Sequence, residues 1–291
     1  APAPSRPILL VVGAPRSGTT LLEQVLARHL PVAYFNNLTA LFPRAPIVAN
    51  RLFGRWLGSA ATYDSFYGRT AGFGQPNDAL HLWDRWLGPD RYALPARLTP
   101  SARAALRRFF GAYDAAFGRP LLNKNNALAP RVELVTEALP TAHVLFAWRD
   151  PAYTVQSIVT ARRTIQGDAT RPYGVGDPDY APGGAAPHDY IEEVCAQVLY
   201  HQRRMREQAQ ALGPQRMTIV PYEAFCAAPH ELVARGGRDV LGLSIDADRL
   251  RGALPPFGCR NRVHDAAEWG RIIATLDRLR AASPMPTAVT G

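Results

Sequence analysis

Gly13-Ala14-Pro15-Arg16-Ser17-Gly18-Thr19-Thr20 sets two glycines around four residues and follows them with two hydroxyl side chains. Beyond it, Leu21, Leu22, Val25 and Leu26 resume at helical spacing. A tight turn into a helix N-terminus presents free backbone N–H groups, and such a loop cradles a phosphate. Pro15, Ser17 and Gly18 shape the loop, Arg16 adds a charge, and Thr19 and Thr20 add donors. The lysine of an ATP-binding G-x-x-x-x-G-K-[ST] loop is here Thr19, so the cation that reaches the terminal phosphates is missing. The candidate Asp for magnesium, Asp150, follows Arg149 and reads as a helix cap. A small-molecule kinase with an atypical loop and a non-catalytic nucleotide- or polyanion-binding module are two readings such a loop allows.

Three more sets of residues suit anion chemistry. Arg149 ends an apolar run, and Ser157 follows eight residues later, so a guanidinium and a hydroxyl can share a second phosphate. Lys124 is the only lysine in a chain whose other basic side chains are all arginine or histidine. A compact ammonium is not interchangeable with a guanidinium at a tight transfer site. Asp78 and His81, three apart on an expected helix, can meet as a carboxylate-oriented general base. His188 and His201 are further candidates for that base.

These groups need elements to hold them. Residues 8–13 read as a buried strand and 18–29 as the helix after it. Further strands are expected at 32–35, 120–124, 143–148 and 216–220. Helices are expected at 77–87, from a Ser101 cap to Phe117, at 130–139, 151–163, 188–212, 229–241 and 266–281. Strands alternating with helices imply a parallel sheet covered on both faces, whose ligands bind at the carboxyl ends of its strands. The 13–20 loop, Asn36-Asn37, Lys124 and Arg149 all fall at such ends. The expectation is one domain over 1–291, with a helical substrate-side insertion at 38–118 and a mobile Gly/Pro/Asp-rich loop at 164–187.

Composition bounds the rest. A hydrophobic share of 47% supports a sizeable core, and no apolar run reaches membrane-spanning length. The net charge of +9 is scattered, without compact basic clusters, so an anionic small molecule fits better than nucleic acid. Cys195, Cys226 and Cys259 form no metal or disulfide pattern, which points to a reducing, cytoplasmic setting. Residues 1–7 show no apolar signal segment.

With these motifs, the chain resembles the sulfotransferases that use 3′-phosphoadenosine 5′-phosphosulfate, in the bacterial branch with a G-x-P-R-S-G-T-T-L-L loop. The resemblance runs over residues 8–30 and 120–262. It implies a three-layer α/β/α, P-loop-like fold and transfer of a sulfuryl group to a hydroxyl or amine of a small-molecule acceptor, with no metal. It also implies that the 13–20 loop holds the 5′-phosphosulfate and that Arg149 with Ser157 holds the 3′-phosphate. By the same resemblance Lys124 and Arg16 stabilise the transfer, Tyr222 lies near the adenine, and Arg260 and Arg262 make further nucleotide contacts. The chain departs from its relatives where some carry a base: Asn126 stands for a His, and Asn36-Asn37 for a Glu. That leaves Asp78 and His81 as the expected base. Trp56, Tyr63, Phe66, Tyr67, Phe73, Trp83 and Trp86 suggest an apolar or ring-bearing acceptor pocket.

Overall fold

Ile8 to Val12 carry no polar side chain, so a strand made of them must be covered on both faces. In the computed structural model, β1 (Ile8–Gly13) is the middle strand of a five-stranded parallel sheet. The described residues are 2–54, 63, 65–68, 70–90, 94–180 and 189–282. Trp56, His188 and residues 181–187 of the expected loop lie outside them. The other strands are β2 (Ala33–Tyr34), β3 (Leu121–Lys124), β4 (Ala142–Trp148) and β5 (Met217–Pro221), in the order β2-β3-β1-β4-β5.

The helices following β1 and β2 are α1 (Thr19–His29), α2 (Asn37–Leu41), α3 (Pro46–Phe53), α4 (Leu80–Leu87) and α5 (Pro100–Phe117). After β3 come α6 (Glu133–Thr136), α7 (Pro151–Ala161) and α8 (Tyr190–Leu212). After β5 come α9 (Tyr222–Ala227), α10 (Pro229–Leu241), α11 (Ala247–Ala253) and α12 (Ala266–Ala282). The two-residue period of β1 divides its side chains between two cores. Leu9 and Val11 pack with Leu22 and Leu26 of α1 and Val233 of α10. Ile8, Leu10 and Val12 pack with Trp83 of α4, Phe110 of α5 and Met205 of α8. A third cluster joins α7, α8 and α12 through Val155, Ile158, Val194, Val198, Ile272 and Leu276. Sheet register sets Val11 beside Lys124 and Gly13 beside Ala147, so the carboxyl ends of β1, β3 and β4 open on one edge.

Several expected elements differ, each for a local reason. The helix expected from 77 starts at Leu80, because Asn77 Oδ1 accepts the Ala79 N–H at 2.8 Å and Ala79 takes a left-handed φ of 53°. Asp78 therefore sits in a turn ahead of the helix. Thr99, not Ser101, caps α5: its Oγ1 accepts the Ala102 N–H at 3.1 Å, with Pro100 in the first turn where its missing N–H costs nothing. The 130–139 helix reduces to Glu133–Thr136 after a 3₁₀ turn over Asn126–Leu128, and the N–H of its cap residue Val132 is accepted by Gln208 Oε1 at 2.7 Å. The loop after α7 opens with a π-helical turn, Arg162–Gln166. Gln197 Nε2 then donates to the carbonyls of Tyr173 and Val175, both at 2.9 Å, tying this segment to α8.

Candidate active site

The loop between β1 and α1 turns on two left-handed residues, Arg16 at φ 70° and Gly18 at φ 93°. Glycine suits the second position twice over. A Cβ there would lie 2.4 Å from the Tyr222 ring, so Tyr222 packs directly against the loop backbone. At Gly13 a Cβ would meet Ser17 Oγ at 2.5 Å and the Ala147 carbonyl at 2.7 Å. The first amides of α1 have no intrahelical acceptor and face a cleft of about 1600 Å³. Pro15, Arg16, Gly18, Thr19 and Thr20 line this cleft. Ser17 does not: its hydroxyl is buried behind the loop with no partner among the described residues.

Arg16 and Arg149 meet here. The Arg16 Nε donates to Ser157 Oγ at 3.2 Å, and its guanidinium stacks over Tyr67, 4.8 Å from the centroid. Arg149, 6% exposed, donates to Asn261 Oδ1 at 3.0 Å, to the Arg16 carbonyl at 3.1 Å and to the Arg260 carbonyl at 2.8 Å. Its charge also lies 5.1 Å from the Tyr222 centroid. Burial lowers the pKa of both arginines. These hydrogen-bond partners, among the described residues, are neutral oxygens, so a half-buried and a buried guanidinium share one cleft, with Glu223 linked to Arg149 only through Asn261. A buried charge without a counter-charge is costly, and an arriving anion relieves that cost. The donor set and the glycine-lined turn fit a ligand with two anionic ends.

The segment after α11 closes this end of the cleft mainly through its backbone. The Arg260 carbonyl accepts from Arg149, and the Arg262 carbonyl accepts from Gln156 Nε2 at 2.7 Å. The Arg260 side chain reaches the cleft wall; Arg262 is exposed and outside the lining. Asn261, which orients Arg149, and Gln156 were not singled out from sequence. An amide within a basic run and a polar residue inside α7 were the signals available.

Lys124, 2% exposed, ends β3. Its Nζ pairs with Asp78 Oδ1 at 2.5 Å and donates to Thr20 Oγ1 at 3.0 Å. Asp78, in the turn before α4, thus meets Lys124 rather than His81. His81 instead faces Asp84, with Nδ1 3.7 Å from Oδ2, and its side chain is 70% exposed. The expected Asp78–His81 pair is corrected: the left-handed Ala79 swings the two onto different paths. His201 is buried, with Nε2 against the Val175 carbonyl at 2.9 Å and its pKa pushed down to about 4 by burial, so it is a structural residue of the core. Asn36 caps α2 by accepting the Thr39 N–H at 2.9 Å. Asn37 accepts from Asn77 Nδ2 at 2.8 Å and so steadies the turn that carries Asp78.

The aromatic set divides. Trp83 and Trp86 are core, whereas Tyr63, Phe66 and Tyr67 line the cleft and Phe73 is exposed beyond it. Among the described residues no group of His, Cys, Asp or Glu could hold a metal ion, and no helix is long and apolar enough to cross a membrane.

The profile of the sulfotransferase family matches residues 7–236. The chain is 25% identical over 233 residues to a protein-tyrosine sulfotransferase of Drosophila melanogaster, a match covering 77% of this chain and 36% of that protein. It thus spans about a third of the length of that relative. Its fold is similar to the crystal structure of sulfotransferase STF9 from Mycobacterium avium, with a TM-score of 0.61 at 14% identity over 98% of this chain and 78% of that one. Sulfotransferase STF1 from Mycobacterium tuberculosis gives a TM-score of 0.57 at 15% identity, covering 95% and 77% of the two chains. The family match spans the loop, Lys124, Arg149 and Tyr222 alike, and on that ground the chain belongs to the sulfotransferase family.

Proposed function

We propose that the chain transfers a sulfuryl group from 3′-phosphoadenosine 5′-phosphosulfate to a hydroxyl or amine of a small-molecule acceptor. The observation that carries this reading is the meeting of half-buried Arg16 and buried Arg149 at one sheet edge, where Arg149 donates to the Arg16 carbonyl and Arg16 donates to Ser157. When bound, the donor supplies an activated sulfuryl group on a phosphate leaving group. The loop amides, Arg16, Thr19 and Thr20 hold its 5′ end, and Arg149, Ser157 and Arg260 hold its 3′-phosphate, with Tyr222 beside the adenosine. Lys124, fixed between Thr20 and Asp78, sets its ammonium where charge grows on the departing phosphate, a preorganised electrostatic contribution. Asp78 takes the acceptor proton on its carboxylate as the new bond forms. The cleft aromatics Tyr63, Phe66 and Tyr67 suit an apolar or ring-bearing acceptor.

Calorimetry with adenosine 3′,5′-bisphosphate tests the donor site. Tight binding to the wild-type chain is expected, weakened by about 2–5 kcal/mol in Arg149→Ala, the usual loss when one partner of a buried charged contact is removed. Unchanged affinity in the variant, or preference for ATP with magnesium, overturns the assignment.

A further inference from the structure

Glu23 is an anomaly in its setting. It lies on α1 among Leu22, Val25 and Leu26, is 1% exposed, and the transfer reading above gives it no task. Its Oε1 accepts the backbone N–H of Lys124 at 3.0 Å. The sheet explains why that N–H needs it. In a parallel strand successive N–H groups point to opposite neighbours. The next one, of Asn125, goes to the Val11 carbonyl of β1 at 3.0 Å, so that of Lys124 faces the β2 side. There β2 has already ended: its last residue, Tyr34, pairs with Leu122, and the chain turns away into α2. Without Glu23 the Lys124 N–H would be a buried donor with no strand to meet it, an unsatisfied group that destabilises this end of β3.

We propose that Glu23 is a positioning residue for the sulfuryl-transfer lysine: its side-chain oxygen stands in for the missing stretch of β2 and fixes the end of β3 from which Lys124 reaches Thr20 and Asp78. The inference rests on the proposed role of Lys124. The groups that face the Glu23 carboxyl are Lys124 from β3, Asp78 from the turn before α4, and Tyr34 from β2. Burial first, and Asp78 second, push its pKa up to about 8, against the pull of Lys124. Burial thus favours the neutral carboxyl at Glu23, and Asp78 is the carboxylate that touches the ammonium. The positioning task needs an oxygen acceptor and no charge, which separates Gln from apolar replacements.

Lys124 as the single lysine makes the test direct. Protein labelled with 13C-lysine gives one ε-methylene resonance, read without donor or acceptor. At pH 7, Glu23→Gln is expected to leave that resonance at its wild-type position, whereas Glu23→Leu shifts and broadens it. In the wild-type chain the resonance shows a step centred near pH 8 as Glu23 ionises, and the step is absent in Glu23→Gln. In turnover, Glu23→Leu lowers kcat about tenfold with KM within about twofold, and Glu23→Gln restores it. A Glu23→Leu resonance identical to wild type, or a Glu23→Gln resonance displaced as far as that of Glu23→Leu, overturns the proposal. If Glu23→Leu does not fold, Glu23→Met, which keeps the length of the side chain and loses its oxygens, takes its place. A failure of sulfuryl transfer with the resonance behaving as described would count against the donor reading and not against Glu23.

Discussion

At the scale of single residues, the site is decided by which partner a charged group meets. Asp78 and His81 are separated by a helical repeat, yet Asp78 binds the Lys124 ammonium at 2.5 Å and His81 faces Asp84 near the surface. An exposed ion pair of that second kind contributes about 0–1 kcal/mol. His81→Ala should therefore leave turnover within about twofold, and Asp78→Asn should lower kcat by about 100-fold, the lower range for losing a general base. Initial-rate measurements at saturating donor decide between them, and a large His81→Ala loss with an intact Asp78→Asn rate would return the base to His81. Arg149, Arg16 and Lys124 could be read from sequence as cleft residues because each stands at the end of an apolar run or inside a glycine-bounded loop. Glu23 and Asn261 could not, because their roles are to hold another residue, and the partner is distant in the chain: Glu23 meets Lys124, and Asn261 meets Arg149.

At the scale of elements, the loop and α1 act as one unit with α9. The Gly18 backbone lies so close to Tyr222 that a Cβ would fall 2.4 Å from the ring, and its φ of 93° disfavours any side chain. Gly18→Ala should lower stability by about 1–3 kcal/mol and reduce adenosine 3′,5′-bisphosphate binding, because relief of the clash must move either the loop or Tyr222. Denaturant unfolding and calorimetry read the two effects; a variant normal in both would show the contact is not required. Element identity was legible where apolar periodicity was long, as in β1, β4, α1 and α10. Starts were misplaced where a side chain competed for backbone groups: Asn77 at α4 and Thr99 at α5. The short α9 and α11 are not legible in the sequence because six and seven residues give too little periodicity.

At the scale of the whole molecule, the price of burying titratable groups sets the pH range of the fold. Glu23 has a folded pKa near 8, above its usual value of 4.5. The native chain binds more protons than the unfolded one between those values, so the stability Glu23 contributes is full below about pH 4.5 and lost as pH rises through 8. His201 works in the opposite sense: its folded pKa near 4 lies below its usual 6.5, so its contribution is present above pH 6.5 and lost as pH falls through 4. Thermal unfolding from pH 5 to 9 should show the wild-type Tm falling relative to Glu23→Gln between about pH 5 and 8 and levelling off above that. Parallel Tm curves would mean that Glu23 ionises alike in the folded and unfolded chains.

The sequence by itself determined the parallel α/β architecture, the glycine-bounded loop at its edge and the candidates for a second anion site. Each rests on local properties: apolar runs, glycine spacing and helix-start chemistry act within a few residues. Only the tertiary structure decided which distant groups share the cleft. Register places Lys124 beside Val11, and a left-handed Ala79 turns Asp78 toward it and leaves His81 outside. It also ended β2 at Tyr34 and so made a core glutamate the support of the lone lysine. Such outcomes depend on where strands stop and how neighbouring elements align, and no short stretch of chain encodes that.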